Sequence, residues 1–531
     1  MTAAPTYVQV LLPVKLRWIP TYSAPAGTEP GQRVSVELGH RRYDGVVWRL
    51  LDRPDLPPER IQPILSVQES LPRVTAEELR FWEFLSEYYL CTLGEVYKAA
   101  YPLLKTRSEQ TAADILARLQ ARLEKNGQAL AGRHCERVRQ RLEAEREELL
   151  AELRRYGDSP AKPANDAAAT MREDAKPLIH LGAGCREAFL PAIREALEGG
   201  GQVLVLTPEI AFCDSMEALL RPAFGPQLQR FHSGRTPVQR RRIAEQLRGG
   251  APALVLGTRS ALFLPFRRLA LVVIDEEQDP SYKQTEPAPR YHGRDAAVAL
   301  AGIHGARVLL GAAVPSLETL LNLRTGKYRL AQPAAPLSPA EVIDIPAERR
   351  KNGMSGTFSR KLIAAIGQTP GPIVLLRGWE KPDLLQEEAG ALFPGRDIRI
   401  KTLHALKREG AGGAKLLAVL QADALIARDD FRGDERAAQL LGTLGLFAPR
   451  IIVQTAVPAR FSGKRSLEDL LAERQQFGFP PYTRLVEVRR QGSGEVLERH
   501  FLPRDKSLAA RKAEILSRLP DGCYPDVDPL D

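Results

Sequence analysis

The sequence has few cysteines, no cysteine pairs and no long apolar run. Five cysteines are scattered through 531 residues, at Cys91, Cys135, Cys185, Cys213 and Cys523. Zinc ribbons take two thiolates from one turn through C-x₂-C pairs, so we expect no structural zinc. No apolar run reaches the ~18 residues that span a bilayer, and no signal peptide opens the chain. These absences predict a cytoplasmic protein with reduced thiols and no membrane partner.

Composition favours a multidomain globular protein with an acidic partner. Apolar residues make up 44% of the chain, and its formal net charge is +10. A chain of this length holds roughly three to four domains with proper cores. Nucleic acid is the commonest large acidic partner. The alternative is a basic surface that serves solubility alone.

The first hundred residues read as a small β domain closed by a helix. Apolar residues alternate or cluster in Val8–Leu12, Arg33–Leu38 and Gly45–Trp48, with Pro and Gly turns between them. A helix is predicted from Thr75 to Tyr89. The charged, Leu-rich stretch from residue 107 to 156 predicts helix with a solvated face, and residues 158–170 read as a linker.

From Lys176 to Tyr328 the chain alternates between strand and helix patterns, which is typical of a parallel sheet covered by helices. The clearest strand patterns are Val203–Leu206, Ala253–Leu256, Leu271–Ile274 and Val308–Leu310. Ligands of such sheets lie at the carboxyl ends of the strands. The loops that follow these strands are therefore the candidate functional loops.

One strand ends in three consecutive carboxylates, Asp275, Glu276 and Glu277. Acids at the end of a buried parallel strand lie where the magnesium of a bound nucleotide would sit. Such a site also needs a phosphate loop, and the nearest candidate contains Gly182 and Gly184. That loop has the glycines but neither the lysine nor the hydroxyl that phosphate loops use.

The segment from Lys176 to Tyr328 carries an ordered set of motifs: TPEI from Thr207, HSG from His232, GTRSALF from Gly257, DEE from Asp275, SYKQ from Ser281, RYHGRD from Arg290 and PSLET from Pro315. In this order and spacing, the motifs resemble the first motor lobe of the primosomal protein N′ family of replication-restart helicases. Thinner likeness continues through Asp423, Asp430–Arg432 and Pro480–Tyr482 to a closing strand at Asp526–Pro529. The resemblance covers nearly the whole length.

The resemblance implies an α/β fold with helicase superfamily 2 type RecA-like lobes, in which a parallel sheet carries helices on both faces. A small β-rich DNA-binding domain and a helical segment precede the lobes. The implied segments are a 3′-end DNA-binding domain at 1–105, a helical segment and linker (a reduced winged-helix region) at 106–172, lobe 1 at 173–335, a reduced lobe 2 lacking the zinc module at 336–460, and a C-terminal domain at 461–531.

Family members recognise forked and single-stranded DNA, use ATP and Mg²⁺, and recruit primosome proteins and the replicative helicase loader. The resemblance implies a cytoplasmic, nucleoid-associated protein. The implied DNA-binding residues include rings and cations suited to stacking bases and holding phosphates. They are Tyr22, Gly39, Arg259, Tyr282, Lys283, Arg290, Tyr291 and Arg294.

The motor motifs depart from the family pattern. Cys185 and Arg186 stand where the family has the phosphate-loop lysine and hydroxyl, and Phe447 stands at the first arginine of the second lobe. The degenerate nucleotide site then consists of Gly182, Gly184, Arg186 and Arg450. Asp275 and Glu276 are its vestigial catalytic acids.

Three functions are compatible with this sequence. The first is a restart protein that binds forked or single-stranded DNA and promotes primosome assembly with weak or absent ATPase and helicase activity. The second is an active ATP-dependent 3′→5′ helicase in which Arg186 replaces the lysine. The third is a protein scaffold that binds no DNA. We rank them in this order.

Overall fold

The computed structural model describes residues 6–54, 56–104, 124, 126, 176–331, 338–426 and 430–530. The chain divides into two compact units, residues 1–103 with 170–531, and residues 104–169. The fold described below is that of the first unit. The predicted helical segment and linker at 106–172 lie outside the described residues, apart from two isolated positions.

The N-terminal sheet is antiparallel, with strand order β2-β1-β4-β3-β5. Its strands are β1 (Thr6–Leu11), β2 (Thr21–Ala24), β3 (Arg33–Leu38), β4 (Arg41–Leu51) and β5 (Ser66–Val67). Gly39 and His40 link β3 to β4 with φ of +56° and +60°. Two left-handed residues form the tight turn that matches the twist of a hairpin.

Two helices pack beside this sheet, α1 (Ala76–Tyr89) and α2 (Leu93–Leu104). The predicted helix start is confirmed, because Thr75 and Glu78 form a reciprocal capping box at the N-terminus of α1. The helix buries Phe81 and Trp82. Gly94, in the first turn of α2, lies against the backbone of Leu12 and Val14 in the loop after β1, where no side chain would fit.

The first large sheet has seven parallel strands in the order β12-β6-β11-β10-β7-β9-β8. Its strands are β6 (Leu178–Leu181), β7 (Gln202–Leu206), β8 (Leu228–Phe231), β9 (Ala253–Gly257), β10 (Leu269–Ile274), β11 (Arg307–Ala312) and β12 (Arg329–Leu330). The accompanying helices are α3 (Leu190–Glu198), α4 (Cys213–Phe224), α5 (Pro237–Arg248), α6 (Gly293–His304) and α7 (Leu317–Arg324). All four strands predicted from apolar runs are confirmed.

The second large sheet has five parallel strands in the order β13-β19-β18-β16-β17. This region contains β13 (Ala340–Asp344), a hairpin of β14 (Met354–Ser355) and β15 (Phe358–Ser359), then β16 (Ile373–Leu376), β17 (Ile398–Lys401), β18 (Leu416–Val419) and β19 (Arg450–Thr455). Its helices are α8 (Ile345–Lys351), α9 (Arg360–Gln368), α10 (Pro382–Leu392), α11 (Leu403–Glu409), α12 (Gly433–Leu444) and α13 (Pro458–Phe461). Apolar clusters cover both faces of the sheet.

A small antiparallel sheet, ordered β21-β20-β22, follows the lobes. This region consists of α14 (Leu467–Phe477), β20 (Thr483–Arg490), β21 (Val496–Pro503), α15 (Leu508–Ser517) and β22 (Cys523–Val527). The predicted closing strand is therefore present but ends at Val527, two residues before the predicted end.

These sheets confirm the expected fold class, two parallel α/β lobes preceded by a β-rich domain. Each sheet lies inside one predicted segment, and the segment boundaries themselves stay predictions. Among the helices that the structure describes, none is both long and apolar enough to cross a membrane.

Candidate functional site

The candidate site lies at the carboxyl edge of the first parallel sheet. β10 ends at Ile274, which is in register with Leu206 of β7 and Leu310 of β11. Asp275 follows directly, and its backbone N–H donates to the carbonyl of Leu206 at 3.0 Å. The parallel register thus fixes the acids beside the loops that follow β6, β7 and β11.

The guanidinium of Arg186 covers the carboxylate of Asp275. Its Nε donates to Oδ1 at 2.9 Å, and its Nη2 lies 2.8 Å from Oδ2 and 3.6 Å from a carboxylate oxygen of Glu276. Asp275 is almost fully buried. Burial raises its pKa, and Arg186 opposes that rise without cancelling it. The two-pronged contact matches the fork geometry that arginine makes with carboxylates.

The glycine loop after β6 delivers this arginine. Gly182 and Gly184 both have φ of +78°, a conformation that residues with a side chain rarely adopt. The Gly182 N–H donates to the carbonyl of Ala312 at 2.9 Å, which ties the loop to the neighbouring strand β11. Cys185 lies beside Asp275, and burial raises its thiol pKa to about 12. This cysteine is therefore neutral and has no nucleophilic thiolate.

A second cation reaches the acids from the other lobe. Lys407, on α11, places Nζ 3.0 Å from Glu276 and 2.8 Å from Asp279. Burial opposes the charged form of each partner, but their attraction prevails and raises the pKa of Lys407 while lowering that of Asp279. Lys407 also lies over the aromatic ring of Phe212, with Nζ 5.6 Å from the ring centroid.

The third acid, Glu277, belongs to the packing behind the site. It is fully buried and accepts hydrogen bonds from the Ser316 N–H at 2.7 Å and from Arg294 Nη1 at 2.9 Å. These bonds join the loop after β10 to the start of α7 and to α6. Glu277 therefore links the loop after β10 to α6 and to the start of α7 through buried hydrogen bonds.

The charges at this edge do not fit a magnesium nucleotide. Mg²⁺ takes oxygen ligands in tight octahedral geometry, and here a guanidinium and an ammonium already lie on the carboxylates of Asp275 and Glu276. Among the described residues, no group of three or more His, Cys, Asp or Glu side chains could hold a metal ion. A bound cation would meet two fixed positive charges.

The structure does not bring Arg450 to the acids. Arg450 is the first residue of β19, at the amino end of a parallel strand, whereas ligands gather at the carboxyl ends. Its guanidinium contacts Glu341 at 3.2 Å. Motif order alone did not show at which end of the strand Arg450 would lie. This position does not support the expected contact of Arg450 with a nucleotide.

Three residues predicted to bind DNA are buried in the loop after β10. The Tyr282 hydroxyl lies 2.7 Å from the carbonyl oxygen of Asp275, and Lys283 Nζ pairs with Asp526 at 2.7 Å. The Tyr291 hydroxyl donates to the carbonyl of Arg259 at 3.1 Å. These contacts use the rings and the cation for packing, so their role in DNA binding stays a prediction that this geometry disfavours.

The predicted cations of the same region are also engaged. Arg259 donates to the carbonyl of Ser281 at 2.5 Å, and Arg290 lies 3.5 Å above the ring of Tyr524. Arg294 is buried against Glu277, as described above. Alternating rings and cations can therefore build a packed polar loop as well as a DNA surface, and composition does not separate the two.

The two residues predicted at the N-terminal DNA site differ in exposure. Tyr22 is 3% exposed, and its hydroxyl donates to the carbonyl of Glu37 at 3.0 Å. Burial raises its pKa to about 12. This ring lies inside the β-sheet core, so its stacking on a base stays a prediction. Gly39, in contrast, is exposed at the hairpin tip.

Sequence reasoning missed Lys407, and it missed the exposed cations beside Gly39. Arg41 and Arg42 follow the turn and are both exposed. The hairpin pattern together with the adjacent arginines could have indicated them. No sequence signal marks Lys407, because its role depends on how the two lobes pack.

Parts of this chain are similar in sequence to known proteins. Residues 9–102 match the family model described as the 3′ DNA-binding domain of PriA. Replication restart protein PriA of Chlamydia pneumoniae is 28% identical over 425 residues, which cover 68% of this chain and 56% of that protein. The Haemophilus influenzae protein of the same name is 28% identical, covering 72% and 60%.

A shorter match is closer in sequence. The Synechocystis PriA is 35% identical over 202 residues, covering 36% of this chain and 24% of that protein. The chain spans little more than half the length of the Chlamydia and Haemophilus proteins. RecG bound to a three-way DNA junction is a structural neighbour with a TM-score of 0.36 and 15% identity, covering 85% of this chain and 62% of that chain.

The two parallel α/β lobes and the β-rich domain before them have the fold class expected from the resemblance to replication-restart helicases. The relatives that match over more than two thirds of this chain are named replication restart protein PriA, and the match at residues 9–102 is to the 3′ DNA-binding domain of that protein.

Proposed function

We propose that this chain binds forked and single-stranded DNA during replication restart and promotes primosome assembly without ATP-driven unwinding. The observation that carries the proposal is the contact of Arg186 with Asp275. In a motor of this class that carboxylate would serve the magnesium of ATP, whereas here it serves a cation of the protein itself.

Loss of hydrolysis follows from charge and geometry. Phosphoryl transfer relies on cations that hold the β and γ phosphates and on a metal that neutralises developing charge. Arg186 is committed to two carboxylates, and the neighbouring Cys185 is neutral. Arginine also cannot replace lysine freely, because its planar fork requires a different approach.

Binding of DNA is supported by the N-terminal domain and by charge. The match over residues 9–102 is to a 3′ DNA-binding domain, and the chain carries a net charge of +10. Arg41 and Arg42 extend from an exposed hairpin of that domain. The relatives are named replication restart proteins, and by likeness we propose primosome proteins and the replicative helicase loader as partners and a cytoplasmic, nucleoid-associated location.

A titration of labelled forked DNA tests the proposal. We expect binding that weakens steeply with salt, because phosphate contacts release counterions, and that survives an excess of heparin better than binding to duplex DNA of the same length does. Fork binding no tighter than binding to heparin would favour the scaffold. Fork-stimulated ATP hydrolysis abolished by Asp275→Ala would favour the active helicase.

A further inference from the structure

The two lobes meet in an ion-pair cluster at the edge of the first sheet. Lys407 of the second lobe contacts Glu276 and Asp279 of the first, and we call these three side chains the interlobe bridge. Their side chains are 14%, 13% and 7% exposed. An ion pair so shielded from water is little screened by salt.

Neighbouring side chains hold the bridge in place. Phe212 of the first lobe packs against two side chains of α11, with its ring centroid 5.6 Å from Lys407 Nζ and 5.6 Å from the ring of His404. His404 also lies 3.3 Å from Glu209. The helix α11 therefore contacts the first lobe through an aromatic ring and two sets of acids.

A second interlobe contact lies near the start of α7. The backbone N–H of Leu317 donates to Glu435 of α12 at 3.0 Å. Leu317 also packs with Leu470 and Leu471 of α14, in the region that follows the lobes. The lobes are thus joined at two points, by the ion pairs of Lys407 and by the hydrogen bond to Glu435.

We propose that the interlobe bridge holds the two lobes together in the absence of nucleotide, so that the protein presents one fixed lobe arrangement to DNA. The carboxylates of Glu276 and Asp279 belong to the first lobe, and the ammonium group of Lys407 reaches them from the second lobe. A ligand that bridges two lobes stabilises closure by binding both of them. Here a side chain makes that contact permanently.

A fixed lobe arrangement is a property separate from the absence of hydrolysis. Absence of hydrolysis requires only that Arg186 cover Asp275, and it is compatible with lobes that open and close. A fixed arrangement requires Lys407 in addition. The two ideas can therefore fail separately.

Single-molecule energy transfer across the cleft tests the bridge in the full-length protein. Donor and acceptor dyes are attached through non-natural amino acids at the exposed positions Glu198 on α3 and Glu387 on α10. For the unaltered chain we expect one population, unchanged by forked DNA or by a non-hydrolysable ATP analogue. We expect Lys407→Met to increase the fraction with separated lobes about tenfold or more, the change that loss of a buried ion pair produces in a two-state equilibrium.

Two further variants keep the test interpretable. Lys381→Met removes an exposed lysine of the same lobe and should leave the single population unchanged. Lys407→Arg keeps the positive charge, and most molecules of this variant should remain in the single population. Circular dichroism checks that each variant is folded, and if Lys407→Met is unfolded, Glu276→Gln is used instead and should also increase the separated fraction.

The outcomes separate the two ideas. Folded Lys407→Met with the same single population overturns the bridge, as does an unaltered chain that changes its interlobe distance when the analogue is added. If the unaltered chain stays in one population but hydrolyses ATP on DNA, the proposed function fails while the bridge stands.

Discussion

Arg186 Nε donates to Asp275 Oδ1 at 2.9 Å, and the same guanidinium places Nη2 2.8 Å from Oδ2. The arginine comes from the glycine loop after β6, and the aspartate from the end of β10. Loop and acid are the two halves of the proposed degenerate nucleotide site, and in this chain their charges neutralise each other.

Replacing Arg186 tests how much this contact contributes to the free energy of unfolding. Removing one partner of a buried pair leaves an uncompensated charge and costs about 3–5 kcal/mol. The arginine side chain is 29% exposed, and solvent screening reduces the expected loss for Arg186→Ala to about 2 kcal/mol in urea denaturation. Arg194→Ala, at an exposed position of α3, should change stability by less than about 0.5 kcal/mol. Equal losses in both variants would contradict a specific pair.

Charge reversal at the hairpin tests the proposed DNA surface. The double change Arg41→Glu and Arg42→Glu should weaken fork binding and reduce the slope of log affinity against log salt by about 0.9 for each lost duplex phosphate contact. The matched control is Arg349→Glu with Arg350→Glu on α8, where both arginines are exposed. The hairpin is not a DNA surface if the two double variants bind forks equally well.

The buried His292 predicts a pH dependence of stability. Burial, and then the nearby Arg294, lower the pKa of His292 to about 4 from 6.5. As the pH falls, the imidazole of the unfolded chain binds a proton before that of the folded chain does. The stability that neutral His292 allows is therefore fully present above pH 6.5 and is lost as the pH falls towards 4. The loss amounts to about 3 kcal/mol at most. Urea titrations at several pH values should give a shallower decline for His292→Gln, and an unchanged profile would contradict this assignment.

Gly94 tests the packing of the N-terminal helix α2, and Gly302 serves as its control. A Cβ at Gly94 would lie 1.9 Å from the carbonyl oxygen of Val14, whereas a Cβ at Gly302 meets no atom within 4 Å. Gly94→Ala should therefore destabilise the protein by about 3 kcal/mol or more, because backbone atoms must shift. Gly302→Ala, inside α6, should stabilise it by up to about 1 kcal/mol. Thermal unfolding of both variants gives the comparison, and a neutral Gly94→Ala would mean that α2 starts elsewhere.

Much of the fold could be predicted because its signals are local. The buried parallel strands contain continuous apolar runs, as in Leu271–Ile274. Helix α1 begins at a capping pair, Thr75 and Glu78, that lies three residues apart in the sequence. The acids at the end of β10 could be placed at the sheet edge for the same reason. These features depend on residues close together in sequence.

The partners of the acids could not be predicted, since they depend on tertiary packing. Lys407 lies 131 positions after Glu276, and nothing in its own helix distinguishes it from a solvated lysine. Arg450 was placed near the nucleotide by motif order, but it lies at the opposite end of its strand. Tyr282 and Lys283 have the composition of a DNA surface, yet their partners are buried backbone and the distant Asp526.

The most direct test of the account measures phosphate release from ATP and Mg²⁺ with saturating forked DNA, while fork binding is confirmed in the same sample. The account predicts release no faster than in the absence of DNA, and no slower in Asp275→Ala. Phosphate release that rises on addition of the fork and disappears in Asp275→Ala would contradict it, because Asp275 would then act in ATP hydrolysis and could not be permanently committed to Arg186.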